Sequence, residues 1–273
     1  MLPVIAGYDV YLVCLGFSVL VGSIIFITGL RSAYPSYRGA LVLLGLLCFA
    51  GIGGAKLYSL WVRGFPAFEI VAELRGGLRY PGALIGVALA LFFWSRWSAE
   101  RPSLLAICDC TAPALAFAMA TFRVGCLATG CCFGSMTEKI LSIQFPVGSP
   151  AWHAHLESGW IHSLEPTSAS VHPLQIYFIG LSLAVGAILL GIQRIKQFDG
   201  QVVLAYLAIH EPLKWGLEFL RAEEVGHIQE VSGFVAVAAW GFVALFFFMR
   251  RKVFFQMFSN RAHRRGSPSR AAR

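Results

Sequence analysis

The sequence predicts an all-α membrane protein with about seven transmembrane helices. Hydrophobic residues make up 57% of its 273 residues and charged residues 13%, whereas a soluble domain has about 25% charged residues. The apolar residues form segments of about 20, the length that crosses a hydrocarbon core about 30 Å thick. Backbone amides must be paired in lipid, so these segments are predicted to be helices. The predicted spans are 10–30, 40–61, 81–97, 104–122, 174–195, 202–219 and 231–249.

The distribution of basic residues predicts the orientation. The net charge is +8, and eight Lys and Arg residues lie within 250–273. An excess of Lys and Arg marks cytoplasmic segments, so the C-terminus is predicted inside and, with seven spans, the N-terminus outside. We therefore divide the chain into a membrane domain, 1–250, and a basic cytoplasmic tail, 251–273.

The tail is expected to contact anionic membrane lipids, the ordinary partner of a basic cluster beside a span, and nucleic acid is not expected. The N-terminal segment has no basic residues before its apolar run. We interpret it as the start of the first helix and not as a removed signal. Two outward segments, 62–80 and 123–171, are not simple spans, and connections as long as the second are usually functional.

The sixth span carries four ionisable side chains at helical spacing: His210, Lys214, Glu218 and Arg221. Residues three or four positions apart share one helix face. Each such group costs at least a few kcal/mol at the bilayer centre, so the face is predicted to line a polar cavity. The alternative is that Lys214 and Glu218 only neutralise each other.

Arg123 begins a stretch rich in small residues. Its planar guanidinium suits a phosphate held through two hydrogen bonds. Gly125, Gly130 and Gly134 would let the backbone approach such a ligand, and Gly82 would do so where free amides open the third span. Tight packing between helices is the alternative explanation for Gly82.

Three cysteines lie in the same outward stretch: Cys126, Cys131 and Cys132. A disulfide between Cys126 and one of the pair is one interpretation, because disulfides persist outside the cytoplasm. A reactive thiol that accepts an acyl or glyceryl group is another. The C-x4-C-C spacing is not a familiar zinc motif, so we expect neither a metal nor a cofactor.

Five blocks of the sequence resemble the motifs of one known family. Residues 54–57 (GAKL) are similar to Gly-Ala-Arg-Leu, and residues 80–86 (YPGALIG) to Phe-His-Gly-Gly-Leu-Ile-Gly. Residues 122–134 (FRVGCLATGCCFG) resemble Gly-Arg-x-Gly-Asn-Phe-x-Asn-Gly-Glu-x-x-Gly. Residues 172–178 (HPLQIYF) and 210–221 resemble His-Pro-x-Gln-Leu-Tyr-Glu and Tyr-Gly-x-x-Arg-x-x-x-Glu-Phe-x-Arg. The blocks come in the same order as in the prolipoprotein diacylglyceryl transferase family, which this sequence therefore resembles.

The resemblance implies a multi-pass enzyme of the bacterial inner membrane. Its reaction would move a diacylglyceryl group from phosphatidylglycerol to the thiol of a cysteine in a secreted lipoprotein precursor. Arg123 would hold the phosphate. The implied catalytic residues are Arg123, His210, Lys214, Glu218 and Arg221. The implied supporting residues are His172, Gln175, Tyr177, Cys126, Cys131 and Cys132.

The sequence also departs from the family's motifs. Pro81 replaces the His of the second block, so that position has no base, and His210 could take over this role. Phe178 replaces a Glu, and His210 and Lys214 replace the Tyr and Arg of the last block. Cys126, Thr129 and Cys131 replace Asn, Asn and Glu. The alternatives are a divergent paralogue with another acceptor and a non-catalytic lipid-binding or transport protein.

Overall fold

The computed structural model describes residues 4–5, 8–30, 37–63, 79–98, 103–222, 232–246 and 248. In this part of the chain, eight helices follow a hairpin of two two-residue strands, β1 (Val4–Ile5) and β2 (Tyr8–Asp9). The helices are α1 (Val10–Leu30), α2 (Tyr37–Arg63), α3 (Tyr80–Trp97), α4 (Leu104–Thr129), α5 (Pro150–Glu157), α6 (Leu174–Ile195), α7 (Gln201–Glu218) and α8 (Ser232–Phe246).

The predicted helical membrane fold is confirmed in its main features. Among the residues that the structure describes, four helical segments are long and apolar enough to cross a membrane: Val10–Leu30, Arg38–Val62, Leu104–Thr129 and Leu174–Ile195. The helices Pro81–Trp97 and Ser232–Phe246 are apolar but shorter. Helix α7 coincides with the sixth predicted span, but its 18 residues include Glu211, Lys214 and Glu218. The count of seven spans and the orientation therefore stay predictions.

Two predicted boundaries need correction. The N-terminal segment is not helical from its beginning, because the hairpin precedes α1. Helix α4 continues to Thr129, so Arg123 and Cys126 lie on a helix and not in the outward loop. The helix ends at Gly130, whose φ of 71° is in the left-handed region that glycine adopts without strain.

Helix α4 contributes to two buried cores, one shared with α1, α2 and α3 and the other with α6 and α7. Helix α1 packs along α4, α4 packs along α6 and α7, and α2 packs along α3. In the α2–α3 contact, a Cβ on Gly82 would lie 2.2 Å from the Gly54 carbonyl oxygen, and one on Gly86 would lie 2.0 Å from that of Ala50. The small residues of the second and third spans therefore let these two backbones touch.

Asp109 connects α4 to the beginning of α7. One carboxylate oxygen accepts the amides of Val202 and Val203 at 2.9 and 3.0 Å, and the other accepts the Gly200 amide at 2.9 Å. Lys196 donates to the same carboxylate at 3.3 Å. Burial opposes the charge of Lys196, but its hydrogen bonds to Asp199 and Asp109 raise its pKa. This fully buried carboxylate positions α7.

The long segment that the sequence predicts to face outward folds over one end of the helices. It contains α5 and isolated bridges that pair Met136 and Ile143 with Val171. A further bridge joins Gly134 to Arg221, which ties the segment to the end of α7. Most of the other segment predicted to face outward, 62–80, lies outside the described residues, and so does the whole predicted tail 251–273. A small core holds the described segment together: Phe133, Phe145, Ala151, Val171 and Ala222.

Candidate functional site

Two buried arginines share one aromatic ring. The guanidinium carbon of Arg123, on α4, lies 4.4 Å from the centroid of the Phe178 ring, and that of Arg221 lies 6.0 Å from it. Only 9% of Arg123 and 4% of Arg221 is exposed. The Arg123 Nε and Arg221 Nη1 atoms are buried and have no hydrogen-bond partner among the described residues. These N–H groups can receive an anion between α4, α6 and the end of α7.

The two guanidinium groups differ in their acidic neighbours. Arg221 Nη2 donates to Glu218 Oε1 at 3.1 Å, and Arg221 Nε donates to Glu218 Oε2. Burial opposes the charge of Arg221, but its bonds to Glu218 raise its pKa. Among the described residues, Arg123 forms no ion pair with a carboxylate. Arg123 is therefore the cation with more charge left for a ligand.

The predicted polar face of the sixth span is buried within the protein. At most 4% of His210, Lys214 and Glu218 is exposed. The alternative of a simple Lys214–Glu218 pair does not describe the site, because Lys214 Nζ lies 3.9 Å from Glu211 Oε2 and Glu218 pairs with Arg221. Arg221 also lies beyond the C-terminal end of α7, not on the helix as its spacing predicted.

His210 lies in a buried polar pair. Its Nδ1 is 3.0 Å from Glu211 Oε1, and its ring stacks on Tyr206 with the centroids 4.6 Å apart. One turn further on, Lys214 Nζ donates to Ser232 Oγ of α8 at 3.3 Å. A carboxylate hydrogen-bonded to one ring nitrogen fixes the orientation of the imidazole.

Three cysteines converge around the C-terminal end of α4. The sulfur atoms of Cys126, Cys131 and Cys132 all lie within 4.8 Å of one another, and all three are free thiols. The Thr129 hydroxyl donates to Cys131 Sγ at 3.4 Å. Hydrogen bonds with Cys126 and Cys131, and then the charges of Arg123 and Arg221, lower the pKa of Cys132. The cysteines and the arginines therefore belong to one site.

The residues predicted to support the site lie where the loop meets α6. Gln175 Nε2 donates to the Cys131 carbonyl at 2.7 Å, and His172 Nδ1 lies 3.3 Å from the Tyr177 hydroxyl. The His172 carbonyl accepts the Gly134 amide at 3.1 Å. These contacts hold the cysteine turn against the helix that carries Phe178.

The four predicted ligand-binding glycines each face another part of the protein. A Cβ on Gly125 would lie 2.8 Å from Cys14 Cβ of α1, and one on Gly130 would lie 2.9 Å from the Phe145 ring. A Cβ on Gly134 would lie 2.7 Å from His172 Cβ, and Gly82 packs on α2 as described above. Close packing accounts for the absence of side chains here, and lipid contact at these glycines stays a prediction.

Sequence reasoning missed three residues of this site. Glu211 was not placed on the polar face because it follows His210 directly, yet it contacts both His210 and Lys214. Ser232 follows α7 by 14 residues, and nothing in its local pattern marks it. Phe178 was noted only as a replacement for Glu, although arginine commonly packs on an aromatic face, and that was an available signal.

A comparison with known families supplies the identification. The family described as prolipoprotein diacylglyceryl transferase matches residues 7–251 of this chain. The chain belongs to this family. The match includes all five blocks and every candidate site residue, and it confirms the resemblance found in the sequence.

Curated relatives carry the same family name. The phosphatidylglycerol–prolipoprotein diacylglyceryl transferase of Clostridium tetani is 27% identical over 164 residues, which are 60% of this chain and 59% of the relative. The second such enzyme of Clostridium perfringens is 28% identical over 60% of this chain and 57% of its own length. That of Dehalococcoides mccartyi strain 195 is 29% identical over 64% and 63%. The alignments thus span about three fifths of these relatives.

Proposed function

We propose that this protein transfers a diacylglyceryl group from phosphatidylglycerol to the cysteine thiol of a lipoprotein precursor. The observation that carries the proposal is the pair of buried guanidinium groups, Arg123 and Arg221, over the Phe178 ring. Their unpaired Nε and Nη1 atoms suit the oxygen atoms of a phosphodiester. Membership of the family and the names of its relatives support the choice of phosphatidylglycerol among anionic ligands.

The reaction needs a positive charge where the leaving group forms. When the acceptor sulfur attacks the glyceryl carbon, the carbon–oxygen bond breaks and glycerol phosphate leaves with the bonding pair. Negative charge then grows on the phosphate, so a fixed cation that meets it lowers the barrier. Because Arg123 has no carboxylate partner among the described residues, we assign this role to Arg123. Arg221, held by Glu218, would orient the same phosphate.

The reaction also needs a group that removes the thiol proton. Pro81 cannot act as a base. His210 is our candidate, since the carboxylate of Glu211 lies 3.0 Å from its Nδ1 and leaves Nε2 for a proton. Lys214 then lies one turn further on, within electrostatic range of Arg123 and Arg221. It would add positive charge to the phosphate site.

We also propose seven spans with the N-terminus outside and the C-terminus in the cytoplasm. Helices at all seven predicted positions support this count. The charged residues of α7 are buried by other helices, which would let α7 cross lipid without exposing them. The membrane would be the bacterial inner membrane, and the tail 251–273 would contact anionic lipids on its cytoplasmic side.

The proposal is tested by incubating the purified protein with labelled phosphatidylglycerol and a synthetic precursor peptide that contains the target cysteine. Mass spectrometry should find the diacylglyceryl adduct on this peptide and not on a matched peptide with Ser in place of Cys. Lipid binding without any adduct would contradict the proposed acceptor. That outcome would favour the second candidate function, a paralogue that modifies another acceptor. The departures from the family motifs at Pro81 and Phe178 support this candidate.

A further inference from the structure

The thiols of Cys126, Cys131 and Cys132 are the one group of three or more His, Cys, Asp or Glu side chains, among the residues that the structure describes, that is close enough to share a metal ion. Their sulfur atoms lie within 4.8 Å of one another. Three sulfur ligands about 2.3 Å from a tetrahedral zinc ion are about 3.8 Å apart. Small side-chain rotations therefore bring the three thiols to bonding distance of one ion.

We propose that Cys126, Cys131 and Cys132 bind one zinc ion through three thiolates, and that the fourth position of the ion takes the acceptor thiol. Thiolates favour soft and borderline ions such as zinc over magnesium or calcium. A catalytic zinc site keeps three protein ligands and one open position, whereas a structural site is closed by four. The three-thiol set matches the first arrangement.

The backbone holds the three cysteines in place. The Cys131 amide donates to the Cys126 carbonyl at 3.1 Å across the left-handed turn at Gly130, and Gln175 holds the Cys131 carbonyl. Cys132 has a φ of 56°, which is uncommon for a residue with a side chain. Such a conformation persists where the surroundings impose it, typically at functional sites. Here it turns Cys132 towards the other two thiols.

The charges around the three thiols also suit the ion. A zinc ion with three thiolates carries a net charge of −1, because +2 is combined with −3. The charges of Arg123 and Arg221 both act on the Cys132 thiol. These two cations offset the negative charge that the buried complex would otherwise carry.

The spacing of the cysteines did not predict this site, because C-x4-C-C is unlike familiar zinc motifs. The fold, and not the spacing, brings the three cysteines together. Cys126 lies on the last turn of α4, and the turn at Gly130 reverses the chain, so two adjacent cysteines return to the first.

Zinc would promote deprotonation of the acceptor thiol, for which Pro81 offers no base. This part of the inference rests on the proposed transferase function. A thiol that binds zinc loses its proton, here to His210, the base proposed above, and remains a nucleophile. Its sulfur then forms a bond to the glyceryl carbon of the lipid. The carbon–oxygen bond breaks, and glycerol phosphate leaves with the electron pair towards Arg123. The thioether product is neutral and a weak ligand, so it leaves the zinc.

Metal analysis of the full-length protein tests the binding. After reduction, loading with Zn2+ and removal of loose metal, we expect one zinc per chain in the wild type. Cys126→Ser, Cys131→Ser and Cys132→Ser should each lose most of it, while the control Cys48→Ser on α2 should retain it. Replacement of Zn2+ by Co2+ should give a thiolate charge-transfer band that each site variant loses. This band provides a second readout of metal binding for variants that are less stable than the wild type.

Two results would overturn the site. One is zinc content that the three serine variants leave unchanged in protein that still elutes as a single species. The other is a disulfide between Cys126 and either neighbour in protein alkylated directly in its native membranes, because such a bond removes two ligands.

The role in transfer is tested separately from binding. Zinc removal should abolish the peptide adduct and zinc addition should restore it, whereas Arg123→Lys should keep its zinc and lose most of the transfer. Full transfer by zinc-free protein would disprove thiol activation and leave the proposed function intact. Stoichiometric zinc without transfer to any thiol peptide would disprove the proposed function and leave the metal site.

Discussion

The central guanidinium carbon of Arg123 lies 4.4 Å from the centroid of the Phe178 ring. In the motif that residues 172–178 resemble, the last position is Glu. A carboxylate there would pair with the guanidinium and reduce the charge available to a phosphate. The phenyl ring instead holds the cation through its negative face and adds no counter-charge.

Replacement of the ring should weaken binding of the lipid headgroup. In Phe178→Leu, Arg123 loses a buried cation–π contact of about 0.5–2 kcal/mol. We expect an apparent affinity for phosphatidylglycerol that is lower by about 2- to 30-fold. The measurement is lipid binding in mixed micelles, with Phe49→Leu as the control because Phe49 is 80% exposed on α2. Equal affinity in both variants would show that the ring does not position Arg123.

Glu218 should be needed for stability because it pairs with a buried cation. Glu218→Gln leaves Arg221 charged and 4% exposed. Breaking a buried pair on one side destabilises by about 3–5 kcal/mol, so the melting temperature in detergent should fall clearly. Glu157→Gln, at the exposed end of α5, is the matched control. A melting temperature equal to that of the control would contradict the assigned pairing.

Asp109 should contribute more to the stability of the protein than Asp199 does, although both carboxylates bond to Lys196. Asp109→Ala leaves the amides of Gly200, Val202 and Val203 unpaired at the beginning of α7. Loss of these bonds is expected to destabilise the protein by about 2 kcal/mol or more. Asp199→Ala removes a surface contact, and its effect should stay below about 1 kcal/mol. The measurement is thermal unfolding of the two variants under the same conditions. Similar losses of stability would contradict the role of Asp109 at the beginning of α7.

Much of the fold could be predicted from the sequence because lipid imposes a strict requirement. Apolar length fixed the positions of seven helices to within a few residues, except at α4. There, nothing in residues 123–129 breaks a helix, and the end is set by the left-handed Gly130. The hairpin before α1 was missed because two-residue strands leave no periodicity.

The sequence predicted most residues of the site, but it predicted few of the contacts between their side chains. Helical spacing identified the polar face with His210, Lys214 and Glu218. It could not show that Arg221 lies past the helix end, or that Glu211 contacts Lys214, since both depend on side-chain direction and on the end of α7. The meeting of three sulfur atoms depends on a turn conformation that spacing does not encode.

The glycine contact between α2 and α3 offers a test of packing. In Gly82→Ala the new methyl group would lie 2.2 Å from the Gly54 carbonyl oxygen, so the two helices must separate. We expect a loss of stability of about 1–3 kcal/mol, as for other overpacked positions. In Gly45→Ala nothing lies within 4 Å of the added carbon, and the helix should be unchanged or slightly more stable. Equal melting temperatures for the two variants would contradict the close contact.

The two donors of the Arg123 guanidinium are proposed to hold the phosphate of phosphatidylglycerol during transfer. The most direct measurement is the rate of adduct formation on the cysteine peptide by Arg123→Lys, with Arg96→Lys at the exposed end of α3 as the control. Lysine keeps the charge but loses the paired donors, so we predict a rate lower by about 100-fold or more for Arg123→Lys. The control should keep the wild-type rate. A wild-type rate in Arg123→Lys, with the wild type itself active, would contradict the account.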